Sequence, residues 1–155
     1  MTEILLYHGL RDMPDPSVPL RLDSPDTRPE GLHLGTLAQA TMRACGGAVA
    51  EISLRLPARV PRVRDRDGGW AATLRRHARA GRGVLVYLNR HEGLDDTDLA
   101  RLADMPTDRV AALPDSAFRR LAPSAADSFV VLDPDLCTLR TVRPGPRAHK
   151  ARRSA

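Results

Sequence analysis

The chain is poor in aromatic side chains, in cysteine and in long apolar runs. Of its 155 residues, 3% are aromatic, two are cysteine and 42% are apolar. Cys45 and Cys137 lie in unrelated contexts without a CxxC motif or a ligand-spaced histidine pair, so we expect both to be buried and predict no metal site. Aliphatic side chains must build the core, and a chain of this length can form one without disulfides or a structural metal.

Segments that would direct the chain to a membrane are also lacking. Met1-Thr2-Glu3 has an acid where a secretory signal has a basic region, and the apolar run that follows is short. No apolar stretch reaches the length of a membrane span. These absences predict a soluble, cytoplasmic protein.

The net charge of +5 is concentrated near the end of the chain. Six basic residues and no acid lie from Arg140 onward, and removing these six from the 24 leaves 18 basic against 19 acidic residues. We predict one domain over residues 1–142 and a basic, disordered tail over residues 143–155. Such a tail could contact nucleic acid or an acidic partner, but a near-neutral body with few aromatic residues argues against nucleic-acid binding as the main function.

Apolar periodicity predicts five or six strands and a few short helices. Because strands and helices do not alternate strictly, we expect an α+β domain with mainly antiparallel sheets. Proline-rich residues 10–31 predict a long loop, and residues 94–126 predict an inserted helical segment. Strands are predicted at 4–9, 32–34, 48–56, 84–88, 128–132 and 136–142, and helices at 37–44, 70–80, 96–104 and 115–121.

The apolar run that begins at Ile4 stops at His8 and Gly9. This pattern predicts a strand that ends at the rim of a sheet, where His8 would point into a cleft. Gly9 has no Cβ, so a ligand could approach its backbone closely. The alternative is a histidine that only satisfies a structural hydrogen bond.

Further polar groups occur where other predicted elements begin or end. Thr36 can serve as the N-cap of the helix predicted at 37–44, and His33 precedes that helix, whose N-terminal N–H groups would suit an anionic or carboxamide ligand. Glu92 follows the strand at 84–88, and Asp127 precedes the strand at 128–132.

The order and spacing of four segments resemble the ADP-ribosyltransferase superfamily over residues 3–142. The similarity is to the diphtheria-toxin and poly(ADP-ribose)-polymerase branch and its small relatives in phage and bacterial polyvalent proteins. That branch has a His-Gly-Thr/Ser strand end, a Gly-x-Tyr-Phe segment before a helix, and a strand of the form Glu-Tyr-Val-Val-Tyr-Asp. The counterparts here are Tyr7-His8-Gly9-Leu10, Gly31-Leu32-His33-Leu34-Gly35-Thr36 and Ser128-Phe129-Val130-Val131-Leu132-Asp133. A fourth segment, Asn89-Arg90-His91-Glu92-Gly93, resembles the end of a strand in the small relatives that has the form Asn-x-x-Glu-Gly.

The resemblance implies a split pair of antiparallel sheets around a cleft for NAD, the co-substrate, with no metal. His8 would bond a hydroxyl of the adenosine ribose, and the backbone of Gly9 would bind the nicotinamide carboxamide. His33 stands where the branch has a tyrosine that stacks on nicotinamide. The implied NAD-binding residues are Tyr7, His8, Gly9, His33, Leu34, Gly35, Thr36 and Ala40.

Ser128 stands where the branch carries its catalytic glutamate. That carboxylate stabilises positive charge on the anomeric carbon, which a serine cannot do. Glu92 and Asp127 are the two acids that could replace it, and side-chain alternation puts Asp127 on the face opposite Ser128, which favours Glu92. Either acid could instead be a solvated loop residue.

The resemblance implies a mono-ADP-ribosyltransferase that cleaves the nicotinamide–ribose bond. ADP-ribose would pass to a macromolecular acceptor, a protein in first place, with a nucleic acid left open by the basic tail. Without an acceptor the same site would be an NAD glycohydrolase and the protein a toxin that depletes NAD. Without the glutamate, the chain could be an inactive module that binds NAD, ADP-ribose or a partner.

Overall fold

The computed structural model describes residues 1–15, 17, 31–64 and 69–146, which form six strands and five α-helices. Every strand ladder in its two sheets is antiparallel, which confirms the predicted α+β class. The strands are β1 (Thr2–Leu10), β2 (Leu32–Leu34), β3 (Ala48–Leu56), β4 (Val84–Leu88), β5 (Asp127–Val131) and β6 (Cys137–Pro144). The helices are α1 (Leu37–Ala44), α2 (Trp70–Arg79), α3 (Asp96–Ala103), α4 (Thr107–Ala112) and α5 (Asp115–Leu121).

The strands form two three-stranded sheets with a shared core. One sheet has the order β1-β3-β6 and the other the order β2-β5-β4. Because side chains alternate along a strand, Ile4, Leu6 and Leu10 of β1 lie on one face. They pack in one cluster with Leu34 and Val131 of the other sheet. The aliphatic core therefore lies between the sheets.

The two sheets are joined where β1 meets the end of β2. Tyr7 N–H donates to the Gly35 carbonyl at 2.9 Å, and Gly35 N–H donates to the Tyr7 carbonyl at 3.0 Å. A Cβ at Gly35 would lie 2.0 Å from Oε1 of Gln39, so a side chain here would have to displace the Gln39 amide. The chain enters α1 directly afterwards, and the junction therefore sets the position of that helix.

Helix α1 has the predicted bounds and begins at a capping box. The Thr36 hydroxyl accepts from Gln39 N–H at 3.2 Å, and Gln39 Oε1 accepts from Thr36 N–H at 2.9 Å. This arrangement confirms Thr36 as the N-cap. Ala40 and Ala44 form the inner face, which packs on Tyr7 of β1.

Strand β1 continues through the histidine and glycine where the sequence predicted its end. It runs to Leu10, with His8 and Gly9 inside the ladder with β3. A Cβ on Gly9 would lie 2.3 Å from the carbonyl oxygen of Ala40 and 2.8 Å from the nitrogen of Ala44. The missing side chain of Gly9 therefore makes room for helix α1.

The segment predicted as a helical insertion (94–126) contains three helices, where the sequence predicted two. Helix α4 follows Pro106 and is six residues long, too short for an apolar period to reveal it. Phe118 of α5 is fully buried and belongs to one cluster with Leu88 of β4. The insertion therefore covers the end of β4.

The outer strands of the two sheets differ in whether another segment of the chain pairs with them. The edge of β4 is covered, because Val63 N–H donates to the Val86 carbonyl at 2.9 Å and Val86 N–H donates to the Pro61 carbonyl at 3.0 Å. Strand β6 is an edge strand, as predicted, and reaches Pro144, two residues beyond the predicted domain boundary.

Some sequence-based predictions fall outside the described residues, and the burial predicted for Cys45 is wrong. Most of the predicted loop (16 and 18–30) and of the predicted tail (147–155) is not described. Cys45 is exposed, contrary to prediction, whereas burial, with the charge of Asp133 added, raises the pKa of the Cys137 thiol to about 11.

Within the described ranges, no helix combines the length and the apolar character that crossing a bilayer requires.

We expect Gly9→Ala to destabilise the fold by about 1–3 kcal/mol, because the added methyl group would meet backbone atoms of α1 that cannot rotate away. Urea denaturation followed by circular dichroism measures the change. Leu5→Ala, on the exposed face of the same strand, is the control and should cost much less. Equal losses in the two variants would contradict the packing role of Gly9.

Candidate active site

A small cleft lies beside the junction of Tyr7 and Gly35. Strands β1 and β2, helix α1 and the turn after β4 surround it, and its open space is about 20 Å³. This is the room of a single water molecule, so a larger ligand requires lining side chains to move. The predicted site residues that line it are Tyr7, Gly9, His33, Leu34, Gly35, Ala40, Glu92 and Ser128.

The backbone of Gly9 faces the cleft along the edge of β1. Tyr7 directs its N–H and C=O away from β3 and toward Gly35. Gly9, two residues further along the strand, directs its own groups to the same side. No strand among the described residues pairs with β1 on this side at Gly9. A donor and an acceptor therefore lie side by side on the cleft wall.

His8 points to the other face of β1, contrary to the prediction that it looks into the cleft. Its Nδ1–H donates to the carbonyl of His33 at 2.8 Å and so ties β1 to β2. Burial lowers the pKa of His8 below its ordinary value, the bond to His33 opposes this, and the charge of Arg43 adds to the lowering. His8 is thus a neutral imidazole with a structural hydrogen bond, and its contact with a ribose stays a prediction.

His33 lines the cleft and belongs to a group of three rings. Its Nδ1 lies 3.0 Å from the hydroxyl of Tyr87. The centroid of its ring lies 6.0 Å from that of Trp70, the single tryptophan of the chain, with the two planes tilted by 34°. Trp70 and Tyr87 meet edge to face at 5.5 Å. These contacts from α2 and β4 hold the imidazole in one position.

Ser128 is buried in a polar network that forms one wall of the cleft. Its hydroxyl donates to Gln39 Oε1 at 2.9 Å and accepts from Asn89 Nδ2 at 3.1 Å. Gln39 also donates to the carbonyl of Ala126 at 3.1 Å, and Asn89 Oδ1 accepts from the N–H of Glu92 at 3.0 Å. The network fixes α1, β5 and the turn after β4 relative to one another.

Glu92 carries its carboxylate to the cleft from that turn. Gly93, at φ 76°, follows it and allows the chain to turn beside α1. Both carboxylate oxygens bond to Arg43 of α1, with Nε to Oε2 at 2.9 Å and Nη2 to Oε1 at 2.7 Å. The Glu92 side chain is 13% exposed and that of Arg43 is 30% exposed. This bidentate pair forms one side of the cleft.

Asp127 lies outside the cleft lining, at the start of β5. Its carboxylate accepts hydrogen bonds from Arg62 at 2.9 and 2.7 Å and from Arg119 at 2.7 Å. Burial would raise the pKa of Asp127, but the hydrogen bonds and charges of the two arginines outweigh it and hold the pKa below its usual value. Of the two acids left open by the sequence, Glu92 is therefore the one on the cleft.

Sequence reasoning missed four residues of the lining. For Gln39 a signal existed, because Thr36 and Gln39 have the spacing of a capping box. The Asn-x-x-Glu-Gly motif contains Asn89 but implies no role for it, and the apolar run around Tyr87 indicates only a buried strand. The sequence places Arg43 on a predicted helix without further signal, because its partner Glu92 lies 49 positions away. Thr36 lies beside the cleft as the cap of α1 and does not line it.

Comparison of the chain with protein-family models, with curated proteins and with solved structures finds no match in any of the three. In the part of the chain that the structure describes, no group of three or more histidine, cysteine, aspartate or glutamate side chains is arranged to hold a metal ion. A function must therefore be argued from the cleft itself.

We expect Ser128→Ala to lower the free energy of unfolding by about 1–3 kcal/mol, because it leaves the buried amide of Asn89 without its acceptor. Urea denaturation measures the loss. Ser116→Ala, at an exposed position of α5, is the matched control and should change the value by less than about 0.5 kcal/mol. Indistinguishable variants would mean that the network does not stabilise the fold.

We expect His8 to make the fold sensitive to mild acid. The unfolded chain binds a proton at His8 near pH 6.5, whereas the folded chain, with its lowered pKa, does so only at a lower pH. Stability contributed by His8 is therefore complete above about pH 6.5 and is lost as the pH falls from there to the folded pKa. Denaturation midpoints at a series of pH values should fall less steeply in His8→Gln than in the wild type. The control, Leu5→Ala at an exposed position of the same strand, removes no titratable group and should keep the wild-type slope.

Proposed function

We propose that the cleft binds NAD and that the protein is a mono-ADP-ribosyltransferase. The observation that carries the proposal is that the open peptide edge of Gly9, the ring of His33 and the carboxylate of Glu92 line one cleft. These groups come from three separate parts of the chain. They offer a carboxamide partner, a stacking surface and a negative charge, which are the groups that nicotinamide cleavage requires.

The nicotinamide end of NAD would bind to the N–H and C=O of Gly9 that face the cleft. The NH2 group of a carboxamide can donate to the C=O of Gly9, and the carboxamide oxygen can accept from the N–H of the same residue. The imidazole of His33 can stack on the pyridinium ring, and its contacts with Tyr87 and Trp70 keep it in place. Binding in this way would orient the bond between nicotinamide and ribose for cleavage.

Glu92 is the carboxylate that we propose for the chemical step. As the bond between C1 of the ribose and nicotinamide breaks, nicotinamide leaves with the electron pair and positive charge develops at C1 and the ring oxygen. A carboxylate held beside the ribose stabilises that charge. The acceptor nucleophile then bonds to C1 and loses its proton. Ser128 takes no part, because its hydroxyl already bonds to Gln39 and Asn89.

We propose a protein side chain as the acceptor. Water in its place would make the protein an NAD glycohydrolase by the same first step. The basic segment predicted to reach a nucleic acid or an acidic partner begins near the end of β6, and its residues from 147 on lie outside the described chain.

One observation favours a second candidate, a module that binds NAD or ADP-ribose without turnover. Both oxygens of Glu92 are bonded to Arg43, and the cleft has room for a single water molecule. If the ion pair persists in the complex, the carboxylate is already neutralised when charge develops at C1.

Nicotinamide release from NAD by the purified protein, with and without cell lysate, separates these functions. Release only with lysate supports transfer to an acceptor, and isotope-labelled NAD would then mark that acceptor. Release without lysate indicates a glycohydrolase. Binding of NAD with no release in either condition supports the binding module and contradicts the proposed reaction.

We expect Glu92→Gln to reduce nicotinamide release by about 100-fold or more, because the amide retains the shape of the side chain and loses its charge. Asp127→Asn should retain most of the rate and lose stability instead, since its carboxylate bonds to Arg62 and Arg119 away from the cleft. Single-turnover rates and urea denaturation on both variants distinguish the two effects. A larger rate loss in Asp127→Asn would overturn the assignment of Glu92.

A further inference from the structure

We infer that Arg43 is the phosphate-binding residue of the cleft and that it exchanges partners, leaving Glu92 for the diphosphate of the dinucleotide when the ligand enters. The inference rests on the proposed function, because it states how the same site would hold the anionic part of NAD.

Charge on the lining supports this assignment. Among the described residues that line the cleft, Arg43 and Glu92 are the two that carry a formal charge at neutral pH, with histidine counted as neutral. A diphosphate that enters therefore meets one cation, and that cation already bonds to an oxyanion through two parallel hydrogen bonds. A guanidinium binds a phosphate through the same planar fork that it presents to a carboxylate.

The packing around the pair allows Arg43 to move while α1 stays in place. The Arg43 side chain is 30% exposed and that of Glu92 is 13% exposed, so the arginine has the easier path toward solvent. The backbone of α1 is held against β1 at Gly9, where there is no room for even a Cβ. The exchange is therefore a side-chain rotation, and it opens a cleft that otherwise has room for one water molecule.

The exchange would also determine when the negative charge of Glu92 becomes available to the reaction. In the empty cleft Arg43 neutralises Glu92, so the ion pair competes with the ligand and restrains the site. Once the diphosphate holds Arg43, the carboxylate is no longer compensated by that cation. Its negative charge then acts on the ribose at the stage when positive charge develops there.

Binding of ADP-ribose, measured by calorimetry, tests the exchange, because substitutions of Arg43 and of Glu92 should change the affinity in opposite directions. Arg43→Gln should weaken binding by about 10- to 100-fold, the loss of a charge-assisted pair of hydrogen bonds. Glu92→Gln should strengthen binding, since it releases Arg43. The control for general charge is Arg75→Gln, at an exposed position of α2, which should leave the dissociation constant within about twofold of the wild type.

The double variant decides why Glu92→Gln strengthens binding. If the gain comes from releasing Arg43, Glu92→Gln adds nothing in the Arg43→Gln background. A gain that persists there would reflect simple repulsion between the carboxylate and the ligand and would overturn the exchange. Equal weakening by both single variants would also overturn it, because the pair would then be a structural tie.

A lysine variant of Arg43 and the assay of nicotinamide release provide two further tests of the exchange. Should Arg43→Gln fail to fold by circular dichroism, Arg43→Lys replaces it, because the lysine keeps the charge and loses the fork, and weaker ADP-ribose binding is again expected. Opposite effects on ADP-ribose binding without nicotinamide release would uphold the exchange and reject the reaction. Release that depends on Glu92, with a KM for NAD unchanged in Arg43→Gln, would uphold the reaction and reject the exchange.

Discussion

Two backbone hydrogen bonds between Tyr7 and Gly35 determine where the residues of the cleft lie. They attach the end of one sheet to the edge of the other, and the chain enters α1 immediately afterwards. As a result β1 presents the peptide of Gly9, β2 presents His33 and α1 presents Arg43 to one small space. A side chain at position 35 would displace Gln39 Oε1 from its bonds to Thr36 and Ser128. The fold and the candidate site therefore depend on the same backbone contact.

Buried polar groups fix the geometry around this contact. Gln39 links the cap of α1 to Ser128 and to the backbone at Ala126. A buried polar group without its partner costs free energy, so each bond selects one arrangement of the elements that it joins. The hydroxyl of Ser128 both donates and accepts, whereas a carboxylate at this position could only accept and would oppose the oxygen of Gln39. Of the two acids that the sequence leaves open, Glu92 is the one that brings its carboxylate to the cleft.

Sequence patterns predicted the elements whose signals are local. The bounds of β3, β4 and α1 agree with prediction, because alternation, a continuous apolar run and a capping box each lie within the element itself. The predicted end of β1 was wrong, because the length of this strand depends on its backbone pairing with β3, which continues to Leu10. Motif spacing identified most of the cleft lining, but it could not reveal that His8 faces the other way. Nor could it reveal the pairing of Glu92 with Arg43 or the arginines around Asp127, because such contacts join distant positions and leave no local signal.

Two of the basic residues near the end of the chain lie on β6, which is an edge strand, and have a structural role there. A strand edge exposes N–H and C=O groups on which another extended chain can pair, and charged side chains and proline on the edge oppose such pairing. Arg140, Arg143 and Pro144 are exposed on β6, whose outer side pairs with no described strand. The guanidinium of Arg140 bonds to Glu3 of β1 at 2.9 Å, and that of Arg143 lies 5.9 Å from the ring centroid of Tyr7, so both side chains reach across β3 to β1. Pro144, which has no N–H, therefore remains to oppose pairing at the outer edge, and two of the six basic residues near the terminus have partners within the sheet that require no nucleic acid.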